Sequence, residues 1–555
     1  MTGYRTPARP LIRPVELTSG RIFTLADGTR VPTDDAFAMF VAARAGDLTT
    51  VQHLTQRSPR LATIEYNYTP PIHFAVREGH LDVTRHLLDH GADLAYRSCP
   101  FQESLLTFAD DRGHEAVTAL LRTHLSARFA LAADTQAIIA AAGAGDLAAV
   151  EAELARNPGL SRASNETGDT ALHHAAKHGH LAVVRALLTS GADGDAVRGD
   201  GYRPIHCALM PNWFFQVALG TREQVADELL SHGAQYTIFI AALRGDMTFV
   251  RQALARDATL ANFEDSCHHR VLSAAVRRQD VAMTQLLLLH GADPALPEEG
   301  APRGLSLWIA VNDRQHELVR LLLTCGADPN GPVESSGTPM SQAAKDDALT
   351  ALLAHHGGQL PGNSDRDRAM QLAQDGRIDD AEALLRANPD WLTKDDAGWG
   401  DGILAGPANA GRHDILAMLL RLGATVPRVS KWAPYYYFKH EATAAFLLQQ
   451  GMHPDHMNWH RFTLLHHMAA EGDEAKATLL LDHGASIDAI DDEYCSTPLG
   501  VAARRGQEAL VALLLARGAD VRAAGAPWAE PLAWAQRRGH AGVVEQLLRA
   551  GAADG

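Results

Sequence analysis

The chain has 555 residues, too many for one compact core, and its 46% hydrophobic and 21% charged content is ordinary for a soluble folded protein. A formal net charge of −16, with only six lysines among 50 basic residues, argues against nucleic acid and anionic membranes as partners and favours proteins with positive patches or basic small molecules. Five scattered cysteines without a CxxC pair, an N-terminus lacking a signal-peptide core and no apolar run of membrane-spanning length together predict a cytoplasmic protein.

Residues 1–33 stand apart from everything that follows. Within them "RIFTLADGTRVP" (21–32) places two short β-prone runs around Asp27-Gly28, a hairpin signal, and the segment is expected to cap the first unit of a repeat array. From residue 34 onward one pattern recurs. "TPPIHFAVREGHLDVTRHLLDHGADL" (69–94) returns as "TALHHAAKHGHLAVVRALLTSGADG" (170–194), "STPLGVAARRGQEALVALLLARGADV" (496–521) and "EPLAWAQRRGHAGVVEQLLRAGAADG" (530–555). In its second half Leu81, Val83, Leu87 and Leu88 share one helical face, and Gly91 ends the helix. Pro70-Pro71 starts the shorter helix before it, where the missing N–H costs nothing. Two short helices cannot bury their apolar faces alone, so neighbours must stack.

These motifs resemble those of the ankyrin-repeat family, TPLHxA followed by a GHxxVVxxLLxxGAD run. The resemblance covers roughly residues 34–555 and implies an all-α solenoid of about sixteen units, several degenerate. Longer turns after Gly46, Gly145, Gly245 and Gly376, with a related glycine at Gly472, suggest blocks 34–134, 135–236, 237–363, 364–461 and 462–555. Many histidines then become structural by position. His73, His173, His206 and His466 take the place that, in the family, ties neighbouring units together. His80, His114, His180 and His540 follow the turn glycine, and His90, His232, His290, His356 and His483 precede the terminal one.

Departures from the repeat carry more information than agreement with it. "MPNWFFQVALGT" (210–221) inserts Trp213, Phe214 and Phe215 between two helices. Trp399 and Asp401 sit in a glycine-rich finger loop, and "APYYYF" (433–438) replaces a first helix. Tyr435, Tyr436 and Tyr437 point about 100° apart in a helix, so at least one must leave the core. "HPDHMNWHRF" (453–462) forms the next finger. Trp399, Asp401, Tyr435, Tyr436, Tyr437, His440, Trp459, His460 and Arg461 are therefore expected to make one concave patch, with Trp213 and Phe214 as further contacts. The expected function is a monomeric scaffold binding a protein partner, with no cofactor. The alternative is a small-molecule site in the same patch, in which Asp401, His440, Glu441 and His460 would supply acid–base chemistry. No metal is expected; the runner-up would place His453, His456 and His460 on one ion, and "NFEDSCHHR" (262–270), with Asp265, Cys267, His268 and His269, is a second histidine cluster.

Overall fold

A computed structural model describes residues 9–24, 29–132, 135–210, 219–333, 337–343, 346–359, 365–393 and 401–552. Ile22–Thr24 and Arg30–Pro32 pair antiparallel, with Phe23 opposite Val31. Thereafter the described residues are an all-α array of helix–turn–helix units. A short inner helix such as Pro71–Arg77 or Ala171–Lys177 alternates with a longer outer helix such as Leu81–Asp89 or Leu181–Thr189. Consecutive inner helices pack side by side along the array.

The local rules behind this alternation are visible in individual side chains. Thr170 and Thr463 cap their inner helices, and the histidine three residues later accepts from the cap's own N–H. His173 and His466 then reach the next finger at Tyr202 O (3.3 Å) and Ser496 O (3.1 Å). Turn histidines reach backwards instead: His80, His114, His180 and His540 contact the carbonyls of Arg44, Arg77, Gly143 and Arg504 at 2.9–3.1 Å. Each of these rings lies over the turn glycine of the preceding unit. A Cβ on Gly46 would meet His80 Nδ1 at 2.4 Å, and Gly46 also holds φ at 74°. The glycine of one unit and the histidine of the next are thus one structural device.

Buried apolar residues form two separate cores. One spans residues 138–353 in the middle of the array. The other joins residues 17–129 to residues 369–547, so the two ends of the array share a core. The solenoid closes on itself, with its first three units packed against its last four. No helix among the described residues is long and apolar enough to cross a membrane.

Candidate functional site

The closure runs through the finger loops 458–462 and 491–495, which meet the inner helices of the first three units. Trp459 is 2% exposed and is edge-on to three rings of those units. Its ring centroid lies 4.9 Å from Tyr66, 5.4 Å from Phe74 and 5.5 Å from Phe40. His460 sits beside it, with Nδ1 3.3 Å from Arg77 Nη1 and Nε2 3.4 Å from Thr69 Oγ1; burial pushes its pKa down to about 3. Arg461 adopts φ 57° and turns its guanidinium to Asp492 (2.6 Å) and Pro10 O (2.8 Å).

Two groups of buried charges flank this aromatic centre. Asp492 receives Arg9 and Arg461 at 2.6 Å each, with Arg44 at 3.7 Å. Glu493 binds Arg77 Nη1 at 3.0 Å and His73 Nε2 at 3.0 Å, and Arg112 donates to its backbone carbonyl at 2.9 Å. Those partners outweigh burial and hold the Glu493 carboxyl well below the usual glutamate range. On the other side, Arg504 joins Glu103 (2.5 Å) and Asp111 (2.9 Å), and Arg538 reaches the same Asp111 at 2.7 Å. Arg504 also lies 4.7 Å over both the Tyr494 and Trp534 rings. Arg77 shows how far the seam departs from the rest of the array: it is fully buried, whereas Arg277, also the last residue of its inner helix, is exposed.

The expected concave patch is therefore divided. Trp459, His460 and Arg461 face the chain's own first units rather than an open groove, because the array curves far enough for its ends to meet. Tyr437 is core, fully buried with its hydroxyl donating to Asp401 O. Asp401 is also buried, its carboxylate accepting from Trp432 N–H at 3.0 Å, and burial raises its pKa to about 6. His440 is exposed and contacts Asn409 O at 3.0 Å, and Glu441 is exposed at the start of the next helix. No described hydrogen bond or ion pair joins any two of Asp401, His440, Glu441 and His460, so the acid–base constellation is not assembled. Trp213, Phe214 and Trp399 lie outside the described residues.

Two clefts stay open among the described residues: one of about 350 Å³ between Ile12, Glu16, Tyr66, Lys431 and Trp459, and one of about 390 Å³ beside the seam. Pro434, Tyr435, Tyr436 and Met468 line the second, with Lys439 and Glu471 as charged neighbours. Tyr435 is 44% exposed. It is joined to the seam by rings: Tyr435 lies 5.6 Å from Trp432, which lies 5.7 Å from Tyr68 of the second unit.

The metal alternatives fare differently. His453, His456 and His460 do not converge: exposed His453 accepts from Asp455 N–H, buried His456 contacts Ser430 Oγ at 2.7 Å, and His460 is in the seam. In the second cluster His268 is exposed, while Asp265, Cys267 and His269 are buried. Among the described residues the one group close enough to hold an ion is His206, Asp265 and Cys267. Its protonation argues against metal. His206 Nδ1 accepts from Arg203 N–H at 3.1 Å, so the proton is on Nε2, which faces Asp265 Oδ1 at 3.2 Å. An ion on Nε2 would force that proton onto Nδ1, against the Arg203 N–H. Burial pushes the Cys267 thiol up to about 12. The trio is a latch between a unit and a finger.

Arg77, Glu493, Asp492 and Arg504 carry the seam, and the expected site included none of them. Their signal was the "DDEYC" finger (491–495) and the double arginines Arg504-Arg505 and Arg537-Arg538 at inner-helix ends.

Comparison with known proteins bears on the repeat units. The family described as ankyrin repeats (3 copies) matches residues 38–129, 137–239, 431–525 and 465–554, together more than half of the chain. The Caenorhabditis elegans ankyrin repeat and KH domain-containing protein mask-1 is 26% identical over 255 residues, covering 40% of this chain and 10% of that protein. Mouse ankyrin repeat and SOCS box protein 16 is 28% identical over 238 residues, covering 40% of this chain and 45% of that protein. The chain thus spans less than half the length of either relative. The crystal structure of the human ASB11 ankyrin repeat domain matches 40% of this chain and 98% of its own at 22% identity, with a TM-score of 0.27.

Proposed function

Because this chain belongs to the ankyrin-repeat family, we propose that it is a cytoplasmic, monomeric binding scaffold whose protein partner docks at the Tyr435–Tyr436 cleft. Ankyrin-repeat proteins generally act by presenting their surfaces to other proteins. One observation carries the placement. In a run of three tyrosines only Tyr437 is consumed by the core, while Tyr435 and Tyr436 line a cleft. Aromatic side chains that combine a large apolar face with a hydroxyl are frequent anchors of binding hot spots. Lys439 and Glu471, of opposite charge, suit a partner segment with mixed polar flanks. Five free cysteines support a reducing compartment.

The test is photo-crosslinking from position 439 at the cleft in the native host, read by mass spectrometry, with and without the added Tyr435→Ala/Tyr436→Ala substitutions. A protein adduct that the double variant no longer captures at all is the expected result. Adducts unchanged by the double variant would place the partner elsewhere. A second reading has support in the cleft's size, which lies in the ~300–1,000 Å³ range of small-molecule sites. Native mass spectrometry of gently purified protein separates the two: a retained small mass favours a ligand, a second polypeptide favours the scaffold.

A further inference from the structure

The seam differs in kind from the packing between neighbouring units. Neighbouring units meet mainly through aliphatic helix faces, with single buried carboxylates such as Asp265 and Asp401, whereas the seam gathers several carboxylates and guanidinium groups around a cluster of rings. Buried polar groups in a permanent core are nearly always paired. Single buried polar atoms lack a hydrogen-bond partner elsewhere in the array, as at Thr84, Ser164 and Ser306, but five gather at the seam: His73 Nδ1, Trp459 Nε1, Tyr494 OH, Arg504 Nε and Arg538 Nε. Burying charge in this way brings little net stability, because the desolvation lost on closing is comparable to the attraction gained. The charges are also exchanged in both directions. The first three units give Arg77 and Arg112 and receive with Glu103 and Asp111; the C-terminal fingers and helices give Arg504 and Arg538 and receive with Asp492 and Glu493. Each face alone carries charges that water can solvate, as the faces of a separable interface do. The middle core over residues 138–353 is independent of the seam, so the ends can part without disturbing it.

We propose that the seam is a reversible latch and that its C-terminal half is a protein-docking groove. Its occupant is the face of the first three units, the chain's own in a closed monomer or a second copy's in an exchanged dimer. The chain carries both faces, so every open molecule can complete two seams with another open molecule. Closure within one chain wins at low concentration because the two faces are tethered. This inference does not depend on the tyrosine cleft.

Charge reversal on one side at a time tests it in the full-length chain. Glu103→Arg/Asp111→Arg alters only the N-terminal face, and Arg504→Glu/Arg538→Glu only the groove. Each double variant should exchange the amides of residues 458–462 and 491–496 at least tenfold faster, while Ala171–Lys177 and Val271–Arg277 keep wild-type protection. Mixed one to one, the two variants regain complementary charges at both seams, and light scattering should show the mass doubling. The chain with all four substitutions should return to a protected monomer. The proposal is overturned if a folded double variant keeps wild-type protection in the fingers. A mixture that stays at monomer mass overturns it too, as does loss of protection across the whole array, which would make the seam obligatory core.

Discussion

Glu493 and Asp401 are both buried carboxylates, yet they respond to pH in opposite ways. Glu493 has its pKa depressed below the ordinary 4.5, so its stabilisation is present above that pH and is lost as acid protonates it. Replacing it with glutamine removes one of the two carboxylates that pair with buried Arg77, the other being Glu78 at 3.0 Å, and should cost about 1.5–3 kcal/mol near neutrality. The difference from wild type should shrink as pH falls below about 4.5, which urea titrations across pH will show. Asp401 has its pKa raised to about 6 from 3.8, so its charge destabilises the fold increasingly as pH rises from about 4 through 6. Asp401→Asn keeps an acceptor for the Trp432 N–H and should gain about 2–3 kcal/mol relative to wild type at pH 7.5, but little at pH 4. A stability difference that does not vary with pH would assign that role to another group. Trp459 is enclosed by three rings at the seam. Trp459→Ala should cost about 3–5 kcal/mol, measurable as a lowered urea midpoint.

The element scale shows what a sequence exposes and what it hides. Inner and outer helices, turn glycines and capping threonines were legible because each answers to a rule that acts within one unit. The tyrosine run was legible as an anomaly, but only the packed structure sorts its members. Tyr437→Ala should cost about 3–5 kcal/mol, since its ring is enclosed, whereas Tyr435→Ala should stay within about 0.5 kcal/mol. Thermal melts of the two variants decide it, and equal losses would make the run a single core element. The Trp459 finger was recognised as unusual, yet its direction was not legible. A finger facing solvent and a finger facing its own chain can carry the same aromatic, histidine and arginine residues. What separates them is whether the array's curvature brings complementary charges opposite, and that curvature is a sum of small rotations over many units.

At the scale of the whole molecule, closure couples positions that the repeat architecture would leave independent. In an open solenoid a lesion is felt by neighbouring units and fades with distance along the array. Here Trp459→Ala should loosen Pro71–Arg77, some 380 residues earlier, more than it loosens Val271–Arg277, which lies nearer in sequence. Hydrogen exchange resolved by segment reads that order directly, and the reverse order would mean the seam transmits nothing. Closure also has a consequence for biosynthesis. At about 5–20 residues per second, the roughly 350 residues between Arg112 and the Trp459 finger take on the order of 20–70 s to translate. Through that interval the first three units can fold, but the surface they are shaped to meet does not yet exist. Phe74, Phe108 and Tyr66 must face water beside a working ribosome. The guanidinium groups of Arg77 and Arg112 among those rings keep the waiting surface hydrated, so the residues that fasten the finished molecule also keep the growing one soluble.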